Sequence, residues 1–258
     1  MPQAAVPRIS PASKTRLPRG SLDRELIMNA AWTMCGNGGL RQLSMQRLAA
    51  ELGVRSSAVH WHFPRKQLLV DALYDEAARR FNEQLPATDD QKPWDEQLRA
   101  YWTNYRAILR TDHVMCDLIV GEWTALARVP DALSRTYRRI DTQLGTMIVA
   151  GFTPEAAART YHLLSTYTRG CLLNERKAAH DGGWPTRAED PAASMGADLS
   201  WLPHLEAAAP FWNFTFATDH DFAFGLQTII GGLQQTLAQP VPSAGRFNSS
   251  RRSGRRAK

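Results

Sequence analysis

The sequence predicts an all-α protein: a small N-terminal unit of three helices built around a helix-turn-helix, then a larger helical body. Three observations carry this. Apolar residues recur at helical spacing over long runs in the second half of the chain. The 17 glycines and 15 prolines cluster in a few places instead of punctuating every ten residues, as an all-β chain would need. Residues 44–66, SMQRLAAELGVRSSAVHWHFPRK, hold the start and stop signals of two short helices joined by a tight turn. No stretch reads as a strand or an internal repeat.

Residues 1–20 read as a disordered basic arm containing Pro, Ser and Arg. Residues 21–36 read as the first helix, with Ile27, Ala30, Ala31 and Met34 on its inner face and Gly36, Gly38 and Gly39 at its end. This glycine cluster lacks the preceding strand and the Lys-Ser or Lys-Thr pair of a phosphate loop. Ser44 is placed to cap the next helix, because its hydroxyl can accept a backbone N–H that the helix start leaves free. Met45, Leu48, Ala49 and Leu52 share one apolar face. Gly53 follows as the left-handed turn residue. Ser56 or Ser57 is expected to cap the second helix, which returns Val59 to the core. Residues 66–84 read as a longer helix with Leu69, Leu73, Ala77 and Phe81 on one face, stopping before Pro86. The N-terminal domain thus spans 21–85.

A polar linker, residues 86–93, opens a helical domain that spans 86–240. Trp94, Leu98, Tyr101, Trp102, Tyr105, Ile108 and Leu109 form one helical stripe. Leu133, Tyr137, Ile140, Leu144, Met147 and Ile148 form another. In GFTPEAA, Thr153 caps a new helix and Pro154 sits in its first turn. That helix runs from 155 to about 177 and carries Tyr161, Leu164, Leu172 and Leu173. Residues 179–200, rich in Gly, Pro, Asp and Ala, read as a long loop. Asp219 or Asp221 starts the last helix, striped by Phe222, Leu226, Ile229, Ile230, Leu233 and Leu237. Residues 241–258 read as a disordered basic tail.

The net charge of +6 is unevenly placed. Residues 246–258 hold six basic residues and no acid, and residues 1–20 hold four more, Arg8, Lys14, Arg16 and Arg19. The remaining body carries 21 basic against 25 acidic residues. Around the helix-turn-helix, Arg47, Arg55, Arg65 and Lys66 face only Glu51. Positive charge confined to one contact region is what a phosphate backbone requires.

The three cysteines, Cys35, Cys116 and Cys171, are odd in number and far apart, with no zinc spacing; they are expected to be buried thiols in a reduced, cytoplasmic setting. No apolar run follows the basic N-terminal residues and no stretch of 18 apolar residues occurs, so neither a signal peptide nor membrane association is expected. No nucleophile elbow, nucleotide loop, paired carboxylate motif or metal cluster appears, so no catalytic residue, cofactor or enzyme activity is expected. His60 and His62 point about 200° apart on a helix and cannot share a metal ion.

In a helix-turn-helix the exposed positions at the start of the second helix read bases. Here these are Arg55, Ser56, Ser57, Ala58 and His60. Arg55 can donate a bidentate pair to a guanine edge, and the Ala58 methyl can touch a thymine methyl.

The run LSMQRLAAELGVRSSAVHWHFPRKQLLVDAL, Leu43 to Leu73, resembles the tetracycline-repressor (TetR) family of bacterial transcription regulators. LAAELGV, Trp61-His62-Phe63, and Lys66 followed by Leu68-Leu69 are its most specific parts. FAFGLQTIIGGLQQTL, residues 222–237, resembles the last helix of the tetracycline-repressor branch. The resemblance implies that Gln46 reaches the groove edge or a base. It implies that Trp61, His62 and Lys66 pin the DNA backbone, and that Ser44 and Met45 add backbone-side contacts. It further implies a homodimer on a near-palindromic double-stranded operator, released when a ligand swings the helix 66–84. Helices 155–177 and 221–238 would form the dimer bundle, with Leu226, Ile229, Ile230 and Leu233 at the interface and Gly225, Gly231 and Gly232 permitting close approach.

The helical domain is rich in aromatic residues, which suits a small, largely apolar or aromatic ligand. Candidate pocket residues are Trp102, Tyr105, His113, Trp123, His162 and Thr166. The tetracycline-type site needs a chelating His and Glu. Those positions hold no such His, and Asn174 beside Glu175 stands at the Glu position, which departs from a tetracycline–magnesium site. The alternative reading is a constitutive or architectural DNA-binding protein without a ligand, with the basic tail adding unspecific phosphate contacts.

Overall fold

A computed structural model describes residues 22–180, 201–208 and 218–238 of the chain. The expected basic arm 1–20, the basic tail 241–258 and the expected loop from residue 181 onward lie outside the described residues.

The first helix, α1 (Arg24–Gly38), starts at Asp23, whose carboxylate accepts the Leu26 N–H at 2.7 Å. It runs through Gly36 and ends only where Gly39 takes φ +74°, donating its N–H to the Cys35 carbonyl. The expected end at Gly36 is therefore short. A glycine inside a helix costs only about 1 kcal/mol, and it is the left-handed residue that stops the chain. Ile27, Ala31 and Cys35 are buried, while Ala30 and Met34 are half-buried.

A 3-10 turn (Leu40–Gln42) leads into α2 (Met45–Glu51), then α3 (Ser56–His62) and α4 (Lys66–Gln84). The Ser44 hydroxyl accepts the Arg47 N–H at 3.1 Å, as a cap should. Gly53 takes φ +66° between α2 and α3. The cap of α3 corrects the expectation. Arg55 occupies it in an extended conformation and makes no side-chain bond, so Ser56 and Ser57 both fall inside the first turn. Val59, Leu48, Ala49 and Phe63 close the small core.

The body contains α5 (Trp94–Thr111), α6 (His113–Cys116), a π-turn (Asp117–Gly121), a 3-10 turn (Trp123–Arg128), α7 (Pro130–Val149), α8 (Pro154–His180), α9 (Pro203–Ala208) and α10 (Asp219–Ala238). Asp112 ends α5 and caps α6, accepting the Met115 N–H at 3.0 Å. Thr153 caps α8, accepting the Ala156 N–H at 3.2 Å. The described residues hold only helices and turns, and no helix among them is long and apolar enough to cross a membrane.

The expected stripe on α7 holds in part: Met147 is buried and Leu144 packs against the core. Tyr137 and Ile148 are instead exposed, and Ala132 and Gln143, outside that stripe, are buried. The cause is polar. Arg135 bonds Asp75 of α4, and Arg139 donates from Nη1 to Asn82 of α4 at 2.9 Å. Arg128, just ahead of α7, pairs with Asp71 at 2.9 Å. Three arginines thus clamp α4 to the body at Asp71, Asp75 and Asn82.

Candidate nucleic-acid interface and ligand cavity

The reading frame is held from both ends. Arg24 at the start of α1 donates to the His62 carbonyl at 2.8 Å and lies 4.1 Å over the buried Phe63 ring. That contact anchors the end of α3. The turn at Gly53 and the buried Val59 fix its other end and its rotation.

With that rotation, Arg55, Ser57, His60 and Trp61 are exposed and Ser56, Ala58 and His62 are half-buried. Trp61 is 79% exposed, which is unusual for the largest apolar side chain and leaves it free to meet a partner surface. Its ring stands edge-on to His62 at 4.7 Å. The His60 Nδ1–H donates to the Pro64 carbonyl at 3.3 Å. Arg65 and Lys66 are exposed at the start of α4, whose N-cap offers no side-chain partner. Free N–H groups beside two cations suit a phosphate oxygen.

Two residues behave differently. Met45 is only 8% exposed and packs into the small core, so at this position only the backbone at the start of α2 can face outward. Arg47 turns back onto the 3-10 turn, donating to the Gln42 carbonyl and side chain at 3.2 and 3.1 Å. Gln46 is exposed beside the half-buried Ser44.

Behind α4 lies a cavity of about 150 Å³, reached by α4, α5, the π-turn, the 3-10 turn that follows it, α7 and α8. Tyr105 lines it, together with Tyr74, Phe81, Arg139, Tyr161 and Arg169. Trp102 is fully buried and packs behind the wall, with its ring 5.4 Å from Tyr105 and 5.3 Å from Tyr161. His113, His162 and Thr166 are exposed and do not line the cavity. Trp123 begins the 3-10 turn, and its side chain lies outside what is described.

Arg139 and Arg169 were not expected from the sequence. An arginine inside an apolar stripe reads as a solvent-facing residue, and only its partners reveal otherwise. Tyr161 stood out only as one aromatic among many.

The body meets the reading unit at α6 and the π-turn. Asp117 holds Arg176 of α8 through both oxygens, at 2.8 and 3.0 Å. Its carboxylate lies close to Gly39, and Val114 lies close to Gly36, so α1 and the π-turn touch. Cys35 and Cys116 are buried here, and burial with the nearby Asp117 pushes their thiols up to about 11 and about 12.

An outward, basic reading helix on a two-helix frame, set against a helical body with an internal cavity, defines a helix-turn-helix regulator of transcription. The family described as "Bacterial regulatory proteins, tetR family" matches residues 27–73, and "Tetracyclin repressor-like, C-terminal domain" matches residues 85–237. The chain belongs to the tetracycline-repressor family of DNA-binding transcriptional regulators.

It is 26% identical over 239 residues to an "HTH-type transcriptional repressor" of Mycobacterium tuberculosis, covering 92% of this chain and 89% of that one. It is 28% identical over 214 residues to the class C tetracycline repressor of Escherichia coli, covering 83% and 91%. A solved structure of a possible TetR-family regulator from Streptomyces coelicolor A3(2) superposes with a TM-score of 0.62 at 26% identity, covering 83% of this chain and all of that one.

Proposed function

We propose that this regulator is a repressor that binds a near-palindromic operator as a homodimer and is released by a small molecule held in the cavity. Residues 21–85 read DNA, and residues 86–240 bind ligand and dimerise. The observation that carries the reading is Arg139. It lines the cavity and at the same time bonds Asn82 of α4, the helix whose first turn carries Lys66. A ligand that changes that bond acts on the element beside the reading helix.

Two reading heads in successive major grooves require a two-fold dimer, hence a near-palindrome. The exposed faces of α8 and α10 support such a dimer. Leu163 and Leu173 are about half exposed, Phe224 is 70% exposed, and Gly231 and Gly232 face open space. His162 and Thr166 share this exposed face of α8, so they belong to the interface in this reading. Leu226 and Ile230 are instead buried in their own subunit, and Ile229 and Leu233 sit half-buried at the edge. Gly225 makes its close approach to Tyr167 of the same chain.

A structural neighbour, ActR of Streptomyces coelicolor, was solved in complex with actinorhodin, with a TM-score of 0.62 at 22% identity. The aromatic wall of the cavity supports a ring-bearing ligand here as well. DNA must then weaken ligand binding by the same factor as ligand weakens DNA binding. In a bacterial cell this places the protein in the cytoplasm with its operator.

The test is selection of bound duplexes from a random pool at ~150 mM salt, where unspecific phosphate binding is already weakened. A recovered palindrome supports the reading. Binding with a steep salt dependence and no sequence preference favours an architectural protein instead, to which the six basic residues at 246–258 would contribute.

A further inference from the structure

The cavity has a definite polarity. Its wall holds two guanidinium groups, Arg139 and Arg169, and no Asp or Glu. Arg139 donates from Nη1 to Asn82 at 2.9 Å and lies 4.8 Å from the Phe81 ring centroid, while its buried Nε has no hydrogen-bond partner. Arg169 donates to the Val120 carbonyl at 2.8 Å. Among the described residues, neither meets a carboxylate. The other arginines clamped nearby do: Arg128 with Asp71, Arg135 with Asp75, Arg176 with Asp117 and Arg106 with Glu175. A partly buried cation without an anion is costly unless something else supplies the charge.

The rest of the wall points the same way. Tyr74, Tyr105 and Tyr161 bring phenols to the cavity. Burial pushes the Tyr105 phenol up to about 12, and burial also raises Tyr74 and Tyr161. All three stay protonated at neutral pH and can donate. Phe81 and Tyr105 stand edge to face at 4.9 Å, an arrangement that offers ring faces and edges to a flat guest. A void of about 150 Å³ is comparable to an engineered apolar cavity that holds one benzene ring.

We infer that the cavity takes a planar aromatic carboxylate, with its carboxylate on Arg139 and Arg169 and its ring against Phe81, Tyr105 and Tyr161. This rests on the cavity being the ligand site proposed above, and it adds the ligand's chemical class. It also supplies the trigger. The ligand carboxylate competes with Asn82 for the Arg139 guanidinium, so occupancy loosens one of the three arginine contacts that hold α4.

The full chain is titrated by calorimetry with benzoate, 2-naphthoate, the two matching primary amides, and acetate. At least one aromatic acid binds about tenfold or more tighter than its amide and than acetate, because a charge-assisted bidentate pair is lost in one and the ring in the other. Arg169→Gln removes that preference without weakening the amide. Arg139→Gln does the same, and Arg139→Lys keeps part of it. Asn82→Ala, which frees Arg139 without touching the cation, tightens acid binding. If the arginine variants fail to fold by circular dichroism, the acid–amide comparison and Asn82→Ala on otherwise unaltered protein still decide.

Equal affinity for acid and amide overturns the inference, as does acetate binding as well as the aromatic acids or no binding by any acid. Operator release by an uncharged molecule, with no acid bound, would keep the repressor reading and overturn this one. Acid binding with no effect on the operator would do the reverse.

Discussion

Arg106 of α5 joins Glu175 of α8 and Asp219 of α10 through a single guanidinium, with contacts of 2.7 Å to each carboxylate. The Arg106 and Glu175 side chains are 5% and 11% exposed, whereas Asp219 is 78% exposed. Burial raises the Glu175 carboxyl, and Arg106 and Arg110 oppose that shift; hydrogen bonding to Arg106 holds Asp219 below its ordinary range. Three helices of the body therefore meet at one buried cation, and Arg110, one turn further along α5, pairs with the same two carboxylates.

Removing that cation leaves the nearly buried Glu175 with only the more exposed Arg110 as its ion-pair partner. Arg106→Leu is expected to cost about 3 kcal/mol, the usual penalty for breaking a buried pair from one side. The double variant Arg106→Leu/Glu175→Leu should recover most of the loss. Urea denaturation checks both, and a double variant as unstable as the single would show that the under-compensated Glu175 carboxylate is not the cause.

Acid should weaken the α4 surface at a defined point. Hydrogen bonds from Arg79 lower the Glu76 carboxyl from 4.5 to about 2, and Arg80 adds to the shift. A carboxylate with a lowered folded pKa contributes stability that is complete above its unfolded pKa and lost as pH falls through the folded one. Melting temperatures of the native chain and Glu76→Gln should differ most above pH 5 and converge toward pH 2. A gap that stays constant across this window would remove Glu76 as its source.

Trp61 is expected to matter for DNA and not for folding. Trp61→Ala should melt within a degree or two of the native chain, because 79% of the residue is already in water. Operator affinity should fall about tenfold or more, since aromatic contacts carry much interface energy. Arg55→Ala should relax preference at one operator position; an equal loss on all sequences would reassign Arg55 to a phosphate.

The two faces of α10 should respond in opposite ways to charge. Phe224→Asp is expected to yield folded monomers by sedimentation, with operator binding abolished. Leu226→Asp and Ile230→Asp should unfold the body instead, because both residues are at most 1% exposed within their own chain. A Phe224→Asp protein that remains dimeric would move the interface elsewhere.

The reading unit was legible because its signals are local. Ser44 caps, Gly53 turns, and Leu48, Ala49 and Val59 repeat at helical spacing within about twenty residues. The cavity was not legible for the opposite reason. Arg139 finds Asn82 across 57 positions of sequence, and Arg135 finds Asp75 across 60. Those partners turn Tyr137 and Ile148 outward while Met147 of the same stripe stays buried. The stretch from α6 through the π-turn carried no periodic signal, being too short for one. His162 and Thr166 show the limit of residue type as a guide: both suit a pocket, yet the helix turns them outward.

Cys35 and Cys116 give the seam between reading unit and body a built-in clock. Each thiol is at most 3% exposed and held protonated, so alkylating and oxidising reagents reach it only when the seam opens. The labelling rate at Cys35 and Cys116, read separately from that of the third buried thiol Cys171, therefore reports opening where α1 meets α6. No engineered probe is needed to ask whether a small molecule or a DNA duplex speeds or slows that breathing.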